Sequence, residues 1–262
     1  MIPVAEITRW RENHPWPEDA QVEQDLVISR ILVELFSRSS IRDNLMFRGG
    51  TALHKLYLTP SQRYSEDIDL VQIHPGSIGS LFDLIRETLE PFMGKPNRKL
   101  GPNVVNLVFK FNSEMSPVRR LKLKIEINTR EHFSVYPRVE KPFHVDSNWF
   151  HGSCTLPTYR LEELLGTKMR ALYQRKKGRD LFDLWMGLTH GNADPAGIIE
   201  SFNKYMEKEN QSVSGKDYRQ NLESKIKDTQ FLSDVSPLIR SDTEYNPETA
   251  MELVMDVLVS SL

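Results

Sequence analysis

The amino-acid sequence predicts an α+β fold in which a mixed β-sheet flanked by helices is followed by a helical C-terminal domain. Three observations lead to this prediction. Apolar residues recur at helical spacing near the N-terminus, runs rich in β-branched and aromatic residues fill the middle, and helical spacing returns from Leu161 onward. With 262 residues, the chain is long enough for one large domain or two modest ones, each with its own hydrophobic core.

The composition excludes several classes of protein. Hydrophobic residues make up 39% of the chain and charged residues 27%, so disordered and fibrous proteins are excluded. Cys154 is the only cysteine, which excludes intramolecular disulfides and cysteine-rich zinc sites. No uncharged stretch is longer than the thirteen residues of 70–82, which is too short to span a membrane, and charged residues interrupt the N-terminal segment 1–25. We therefore expect a cytoplasmic protein without a signal peptide.

Two helices are predicted near the N-terminus. The first covers 22–36, where seven apolar residues follow helical spacing. The second begins near Gly50 and ends before Pro60, because proline cannot donate the backbone hydrogen bond that a helix interior requires.

The middle of the chain is predicted to form the sheet. A strand is expected over 65–72, and a helix over 81–92 connects it to two further strands, 104–111 and 121–128. Turn-forming residues at 113–117 indicate that these last two strands form a hairpin.

The remainder of the chain divides into a loop region and a helical region. Pro137, Pro142 and Pro157 predict loops after the hairpin. Beyond Leu161, apolar residues follow helical spacing. We expect an α/β domain with N-terminal helices over residues 1–155 and a helical domain over residues 156–262.

The net charge of −2 hides a strong segregation of sign. Residues 95–130 carry nine basic and two acidic side chains, and residues 168–179 carry six basic and no acidic ones. Residues 180–262 carry fifteen acidic and seven basic side chains. The basic segments suit an anionic partner such as a nucleotide or RNA, although solvated helix faces would give the same counts.

A glycine pair stands where the second helix is predicted to begin. Gly49 and Gly50, followed by the hydroxyl of Thr51, allow backbone N–H groups to approach a phosphate at a helix N-terminus. The same three residues, taken alone, also suit a turn with a helix cap.

Three carboxylates are expected on the polar face of the sheet. Side chains alternate along a strand, so Asp67 and Asp69 lie on one face, and Glu126 lies opposite the buried face of its own strand. Neighbouring carboxylates repel one another unless a hard cation such as Mg²⁺ lies between them, and three of them suit a two-metal site. Exposed acidic residues on an edge strand would show the same pattern.

A basic stripe is predicted in the helical half. Lys168, Arg175 and Arg179 are spaced by seven and four residues, which places them on one helix face that either lines an anionic pocket or is solvated. Asp180 and Asp183 are expected to pair with these cations or to orient a nucleophile.

Together these residues resemble the AbiEii/AbiGii nucleotidyltransferase family, whose members are toxins of bacterial toxin-antitoxin and phage-abortive systems with a polymerase-beta-like nucleotidyltransferase fold. The resemblance spans about residues 47–185. It rests on four motifs in order: Gly49-Gly50-Thr51, Arg63-x-Ser65-x-Asp67-x-Asp69, Glu126, and Lys168 followed by Arg179-Asp180-Leu181-Phe182-Asp183-Leu184. Thr51 stands where the superfamily more often has serine, and it still supplies a hydroxyl.

The resemblance implies a function and a set of site residues. The catalytic set is Asp67, Asp69, Glu126, Lys168 and Asp183, with Mg²⁺ held by the first three. The nucleotide-binding set is Gly49, Gly50, Thr51, Lys55, Arg63, Ser65, Arg179 and Asp180. The expected reaction moves a nucleoside monophosphate from an NTP to an acceptor hydroxyl of RNA, at a tRNA 3′ end, and a cognate antitoxin is the expected protein partner.

Other functions are weighed against this one. The alternatives are a nucleotidyltransferase that modifies a small molecule or a protein, and a non-catalytic module that binds a nucleotide or a partner. Three acidic side chains without a balancing cation would be costly to bury, which argues against the non-catalytic module. Metalloproteases and α/β-hydrolases are disfavoured because their characteristic sequence patterns do not occur. Aspartyl-phosphate phosphatases also use Asp-x-Asp, but after a continuous apolar strand, whereas the polar segment 62–66 precedes Asp67.

Overall fold

The computed structural model describes residues 2–101 and 103–262. Its elements up to the fifth strand are α1 (Val4–Asn13), α2 (Asp19–Phe36), α3 (Ser39–Arg42), β1 (Leu45–Arg48), α4 (Gly49–Leu56), β2 (Asp67–Gln72), α5 (Gly79–Met93), β3 (Asn97–Leu100), β4 (Val104–Asn112) and β5 (Arg120–Asn128). The others are β6 (Val139–Asp146), β7 (His151–Thr158), α6 (Leu161–Gln174), α7 (Gly178–Thr189), α8 (Pro195–Lys208), α9 (Gly215–Lys225), α10 (Thr229–Ser233) and α11 (Pro247–Val257). No helix of the described residues is long and apolar enough to cross a membrane.

The strands form one mixed sheet in the order β3-β4-β5-β2-β1-β7-β6. The pairs β2/β5 and β1/β7 are parallel, whereas the other neighbouring strands are antiparallel. The register places Asp69 of β2 opposite Arg48 of β1 on one side and opposite Glu126 of β5 on the other. This register brings charged residues from three strands onto the same face of the sheet.

The structure has two large hydrophobic cores. The first packs α2 and α5 against the apolar face of the sheet, with Ile31, Ile68 and Ile125 fully buried. The second packs the helices of the C-terminal half together, around residues such as Leu165 and Phe182. Leu53 of α4 belongs to the second core, so α4 contributes to the helical half as well as to the sheet.

Most of the predicted elements are present within a few residues of their expected bounds. The helix predicted over 22–36 is α2, which begins earlier, at Asp19. The strand predicted over 65–72 is β2, which begins later, at Asp67. The two strands of the predicted hairpin, β4 and β5, are antiparallel neighbours. Periodicity was informative here because apolar residues recur at helical spacing in α2 and alternate with polar residues in β5.

The loop predicted around Pro137 is present, whereas those predicted at Pro142 and Pro157 were wrong. Pro142 lies in β6 and Pro157 lies in β7, and these two strands are paired along their whole length. Proline is tolerated because β6 is the edge strand and β7 pairs with β1 only at Thr158, so few N–H groups are needed on those outer sides. Strand β7 also runs across the proposed boundary at 155/156, and the division into two domains stays a prediction.

Candidate active site

Three carboxylates lie together on the polar face of the sheet. Asp67 and Asp69 alternate with the buried Ile68, and Asp69 is in register with Glu126. Burial raises the pKa of Asp69, and the nearby charges of Asp67 and Glu126 raise it further. Burial also raises the pKa of Asp67, against the effect of the Lys124 ammonium. The cluster therefore favours a cation that balances its charge.

Lys124 supplies one such charge. Its Nζ lies 3.0 Å from an Asp67 carboxylate oxygen and 3.1 Å from a Glu126 oxygen. Although burial acts to lower it, these two carboxylates raise the pKa of Lys124. The ammonium thus occupies the space between two of the three acidic side chains.

The donor chemistry of this cluster fits a hard divalent cation. Carboxylate oxygens from two neighbouring strands are the ligands that Mg²⁺ prefers in proteins. As the side chains stand, no group of three His, Cys, Asp or Glu among residues 2–101 and 103–262 is arranged to hold a metal ion. Lys124 Nζ instead contacts both Asp67 and Glu126 and balances part of their negative charge.

The glycine pair forms a sharp connection from β1 to α4. Gly49 has a φ of +78°, and a Cβ added to it would lie 2.1 Å from the Asp69 Oδ2 atom. A Cβ on Gly50 would lie 2.4 Å from an Arg63 guanidinium nitrogen. Only glycine allows the backbone to approach these side chains so closely. Thr51 is buried, and its hydroxyl lies 2.8 Å from the hydroxyl of Ser65, so it fastens α4 to the segment before β2.

A cavity of about 300 Å³ opens over the carboxylates. One wall is the sheet and the other is α6, and the lining residues are Arg48, Gly49, Asp69, Leu70, Glu126, Asn128, Thr167, Lys168, Arg170, Ala171, Gln174 and Arg175. Both carboxylates of the lining, Asp69 and Glu126, therefore lie on the sheet, whereas three of its four cationic side chains lie on or directly after α6 and the fourth, Arg48, ends β1. Such a cleft has a place for a metal ion on one wall and for phosphates on the other.

A buried ion-pair network supports the helical wall. Asp183 of α7 is fully buried, and its carboxylate accepts hydrogen bonds from Arg63 at 2.7 Å and lies 2.8 Å from Lys168 Nζ. Burial acts to raise the pKa of Asp183, but the cations of Arg63 and Lys168 hold it well below its usual value. Asp180, also fully buried, accepts hydrogen bonds from Lys168 and Arg175.

His54 completes this network as a neutral ring. Its Nε2 donates to Asp183 Oδ1 at 2.9 Å, whereas its Nδ1 has no hydrogen-bond partner among the described residues. Burial and the charge of Arg63 lower the pKa of His54 to about 4. A protonated ring would place a third buried positive charge beside those of Arg63 and Lys168, and neutrality avoids that cost.

A family model for the nucleotidyl transferase AbiEii toxin of type IV toxin-antitoxin systems matches residues 30–253. This chain belongs to the AbiEii toxin family. It is therefore a nucleotidyltransferase, and membership implies an NTP substrate and a cognate antitoxin. No curated protein sequence matches the chain.

Solved structures show that this AbiEii chain shares its fold with other proteins. MenT4, a nucleotidyltransferase toxin from Mycobacterium tuberculosis H37Rv, is 17% identical, with a TM-score of 0.66 over 100% of this chain and 91% of MenT4. JHP933 from Helicobacter pylori is 18% identical, with a TM-score of 0.55 over 94% of each chain. A putative nucleotidyltransferase from H. pylori is 19% identical, with a TM-score of 0.52 over 93% of this chain and 96% of that one.

The AbiEii structure brings many of the predicted site residues together. Four of them line the cavity: Gly49, Asp69, Glu126 and Lys168. Asp67 is not part of the lining, and its carboxylate contacts Lys124, which also contacts Glu126. The others stand behind the cavity in the supporting contacts described above: Gly50, Thr51, Arg63, Ser65, Asp180 and Asp183.

Two of the predicted nucleotide-binding residues lie elsewhere. Lys55 donates to Asp25 and Ser29 of α2 and lines a different cavity, so it does not join the carboxylate cleft. Arg179 pairs with Asp234. The expected single helix face for Lys168, Arg175 and Arg179 was wrong, because α6 ends at Gln174 and α7 begins at Gly178. A Cβ on Gly178 would lie 2.1 Å from the Phe231 carbonyl oxygen, which explains why a glycine occupies the first position of α7.

Sequence reasoning missed an arginine pair in the AbiEii cleft. Arg48 and Arg170 both line the cavity, and both contact the carboxylate of Glu131, Arg170 at 2.8 Å. The position of Arg48 immediately before the glycine pair was an available signal. Arg170 follows Lys168 by two residues, which is not helical spacing for one face, and nothing in the sequence marked Glu131.

Proposed function

We propose that this enzyme uses Mg²⁺ to transfer a nucleoside monophosphate from an NTP to an acceptor hydroxyl of RNA, at a tRNA 3′ end. The observation that carries the proposal is the placement of Asp69 and Glu126 on the sheet wall of the cleft, opposite Lys168 and Arg170 on α6. This division suits a metal-bound triphosphate, because each wall balances one part of its charge. We place the reaction in the cytoplasm, where NTP and tRNA are available.

Each wall has its own task in this reaction. Asp67, Asp69 and Glu126 would hold Mg²⁺, which when bound supplies positive charge at the reacting phosphate. Lys168 and Arg170 face the sheet across the cleft and neutralise the other phosphates, chiefly the charge that accumulates on the departing pyrophosphate. Formation of the cleft depends on Lys168 being held in place by the buried Asp183.

The transfer forms one phosphorus–oxygen bond and breaks another. The acceptor oxygen attacks the α-phosphorus, the bond from the α-phosphorus to the bridging oxygen breaks, and pyrophosphate leaves with that electron pair. Glu126 accepts the proton of the acceptor hydroxyl, since it lies at the cleft surface with a carboxylate oxygen available beside Asp69. The Gly49 backbone borders the same space, close enough to contact a phosphate.

The test is to incubate the enzyme with each labelled NTP, Mg²⁺ and total RNA, and to determine which molecule carries the label. We expect label on RNA of tRNA size, lost when a chelator removes Mg²⁺ and absent with the Asp67→Asn variant. Label on a protein or on a small molecule instead would overturn the RNA acceptor and favour those alternatives. Activity that survives chelation would overturn the metal assignment.

A further inference from the structure

The polar face of the sheet continues beyond the cleft as a basic surface. The register of β3, β4 and β5 places four basic side chains on the same face as Glu126, and all four are exposed: Lys99, Lys110, Arg120 and Lys122. We call these four residues the basic sheet face. Glu126 is the only acidic side chain that the register places on this face of the three strands within the described residues.

The basic sheet face is electrostatically unbalanced. Lys110 and Lys122 stand directly opposite each other in the antiparallel ladder, and like charges in this position destabilise a sheet. None of the four forms a salt bridge with a described residue. By contrast, Arg119 pairs with Glu18, Lys176 with Asp228 and Lys177 with Asp234. The four positive charges of the basic sheet face are therefore not balanced by a carboxylate of the described residues.

The basic residues of β5 form a row that ends at the carboxylates of the cleft. Arg120, Lys122, Lys124 and Glu126 follow one another along the same face of β5, at steps of two residues. Because a strand rises about 3.3 Å per residue, this row covers about 20 Å and ends in the cleft. An anionic chain lying along β5 would thus arrive at Asp69 and Glu126.

The face also shows how such a chain would be contacted. The aromatic side chains of β4, Phe109 and Phe111, belong to or pack against the core on the opposite face. The uncharged positions of β4 on the basic sheet face are Val104, Asn106, Val108 and Asn112, and none of them can stack on a base. Contacts from this surface are consequently made to phosphates rather than to bases.

We propose that the basic sheet face binds the phosphate backbone of the acceptor RNA next to its reacting end, independently of sequence. This inference rests on the proposed function, because it takes RNA as the acceptor. It assigns the RNA path to β4 and β5 rather than to the basic segment between α6 and α7, where Lys176 and Lys177 are already paired.

The test compares two double variants at saturating NTP. Lys110→Gln with Lys122→Gln should raise the KM for RNA about tenfold or more and leave the KM for NTP and the maximal rate unchanged. Removal of two phosphate contacts should also lower the slope of log affinity against log salt by about 1.4 to 1.8. The melting temperature of the Lys110/Lys122 double variant should be unchanged or higher, since a repulsive pair is removed. The matched control, Lys216→Gln with Arg219→Gln on α9, also removes two exposed positive charges and should leave the KM for RNA unchanged.

The outcomes separate this inference from the proposed function. Absence of label transfer to RNA by the unmodified enzyme would overturn the proposed function itself. Transfer with the same KM and salt slope in the sheet variant would overturn only the RNA path and leave an acidic protein as the occupant of this face. An equal rise in KM for both double variants would overturn it as well, because the effect would then follow net charge rather than position.

Discussion

Asp69 lies beside two other carboxylates, which repel its negative charge. Burial, Asp67 and Glu126 all raise its pKa, so its charged form is less favoured than that of a free aspartate and a bound cation would favour it. We expect Asp69→Asn, and likewise Asp67→Asn, to abolish nucleotide transfer while the melting temperature without Mg²⁺ stays the same or rises. Label transfer and thermal denaturation measure the two effects. Near-normal activity in either variant would show that the carboxylate assignment is wrong.

His54 gives a pH dependence whose sign follows from its environment. The folded pKa of about 4 lies below the ordinary 6.5, so the unfolded chain binds this proton first as the pH falls. The free energy of unfolding should therefore decrease between pH 6.5 and about 4, by up to about 1.4 kcal/mol per pH unit from this residue.

The reference variant for this measurement is His54→Gln, whose amide can still donate to Asp183. Chemical denaturation of both proteins between pH 7 and 4 gives the difference in their free energies of unfolding, which removes the contributions of the raised carboxylate pKa values. The stability of the native protein should fall relative to the variant as the pH drops. A constant difference would contradict a neutral His54.

At the scale of elements, the β1–α4 connection controls the geometry of the site. Gly49→Ala should abolish transfer, because the new Cβ would lie 2.1 Å from the Asp69 Oδ2 and displace that carboxylate. Gly94→Ala is the matched control, since Gly94 has a similar φ of +70° with nothing within 4 Å of an added Cβ. Both variants should lose about 1–3 kcal/mol of stability from backbone strain, because φ is positive at both positions. Only Gly49→Ala should lose activity, and equal activities would contradict the close approach.

Lys168 joins α6 to α7 and also faces the cleft. Lys168→Ala leaves Asp180 and Asp183 with fewer buried partners, so we expect a loss of about 1–3 kcal/mol in the free energy of unfolding. Under conditions where the variant is folded, transfer should weaken more than NTP binding, because the lysine charge acts mainly on the departing pyrophosphate. Denaturation, NTP titration and single-turnover rates provide the comparison. Equal losses in binding and rate would make Lys168 a ground-state contact.

The sequence predicted elements that have two distinct faces better than contacts that span the fold. Strand alternation correctly placed Asp67 and Asp69 on one face, and the register then added Glu126. Lys55 follows the glycine pair closely in sequence, yet it lies on the side of α4 that faces α2, and sequence spacing from Gly49 does not reveal the helix rotation. Glu131 acts only through arginines from distant segments, so no local pattern marks it.

At the scale of the whole molecule, charge is distributed unevenly, and that distribution predicts a salt effect. RNA binding should weaken steeply between about 50 and 200 mM salt, with a slope of 0.7 to 0.9 per phosphate contacted, whereas a small acceptor would show a shallow slope. Neutralising Arg119, Lys176 and Lys177 should change this slope only slightly, because each already pairs with an acidic residue. RNA-binding assays across this salt range measure the slope. A large change of the slope in the triple variant would place the RNA on the helical side.

The two parallel strand pairs of the sheet determine when the active site can form during synthesis of the chain. Phe47 of β1 pairs with Thr158 of β7, and Asp69 of β2 pairs with Glu126 of β5, so both parallel contacts join segments that are far apart in the chain. Such contacts form only after the intervening chain has been synthesised and its closure entropy overcome. While the ribosome is still translating the first 126 residues, Asp67 and Asp69 have no third carboxylate, and the α6 wall emerges later still. We therefore expect a polypeptide released by premature termination before α6 to lack nucleotide transfer activity, because one wall of the cleft is then missing.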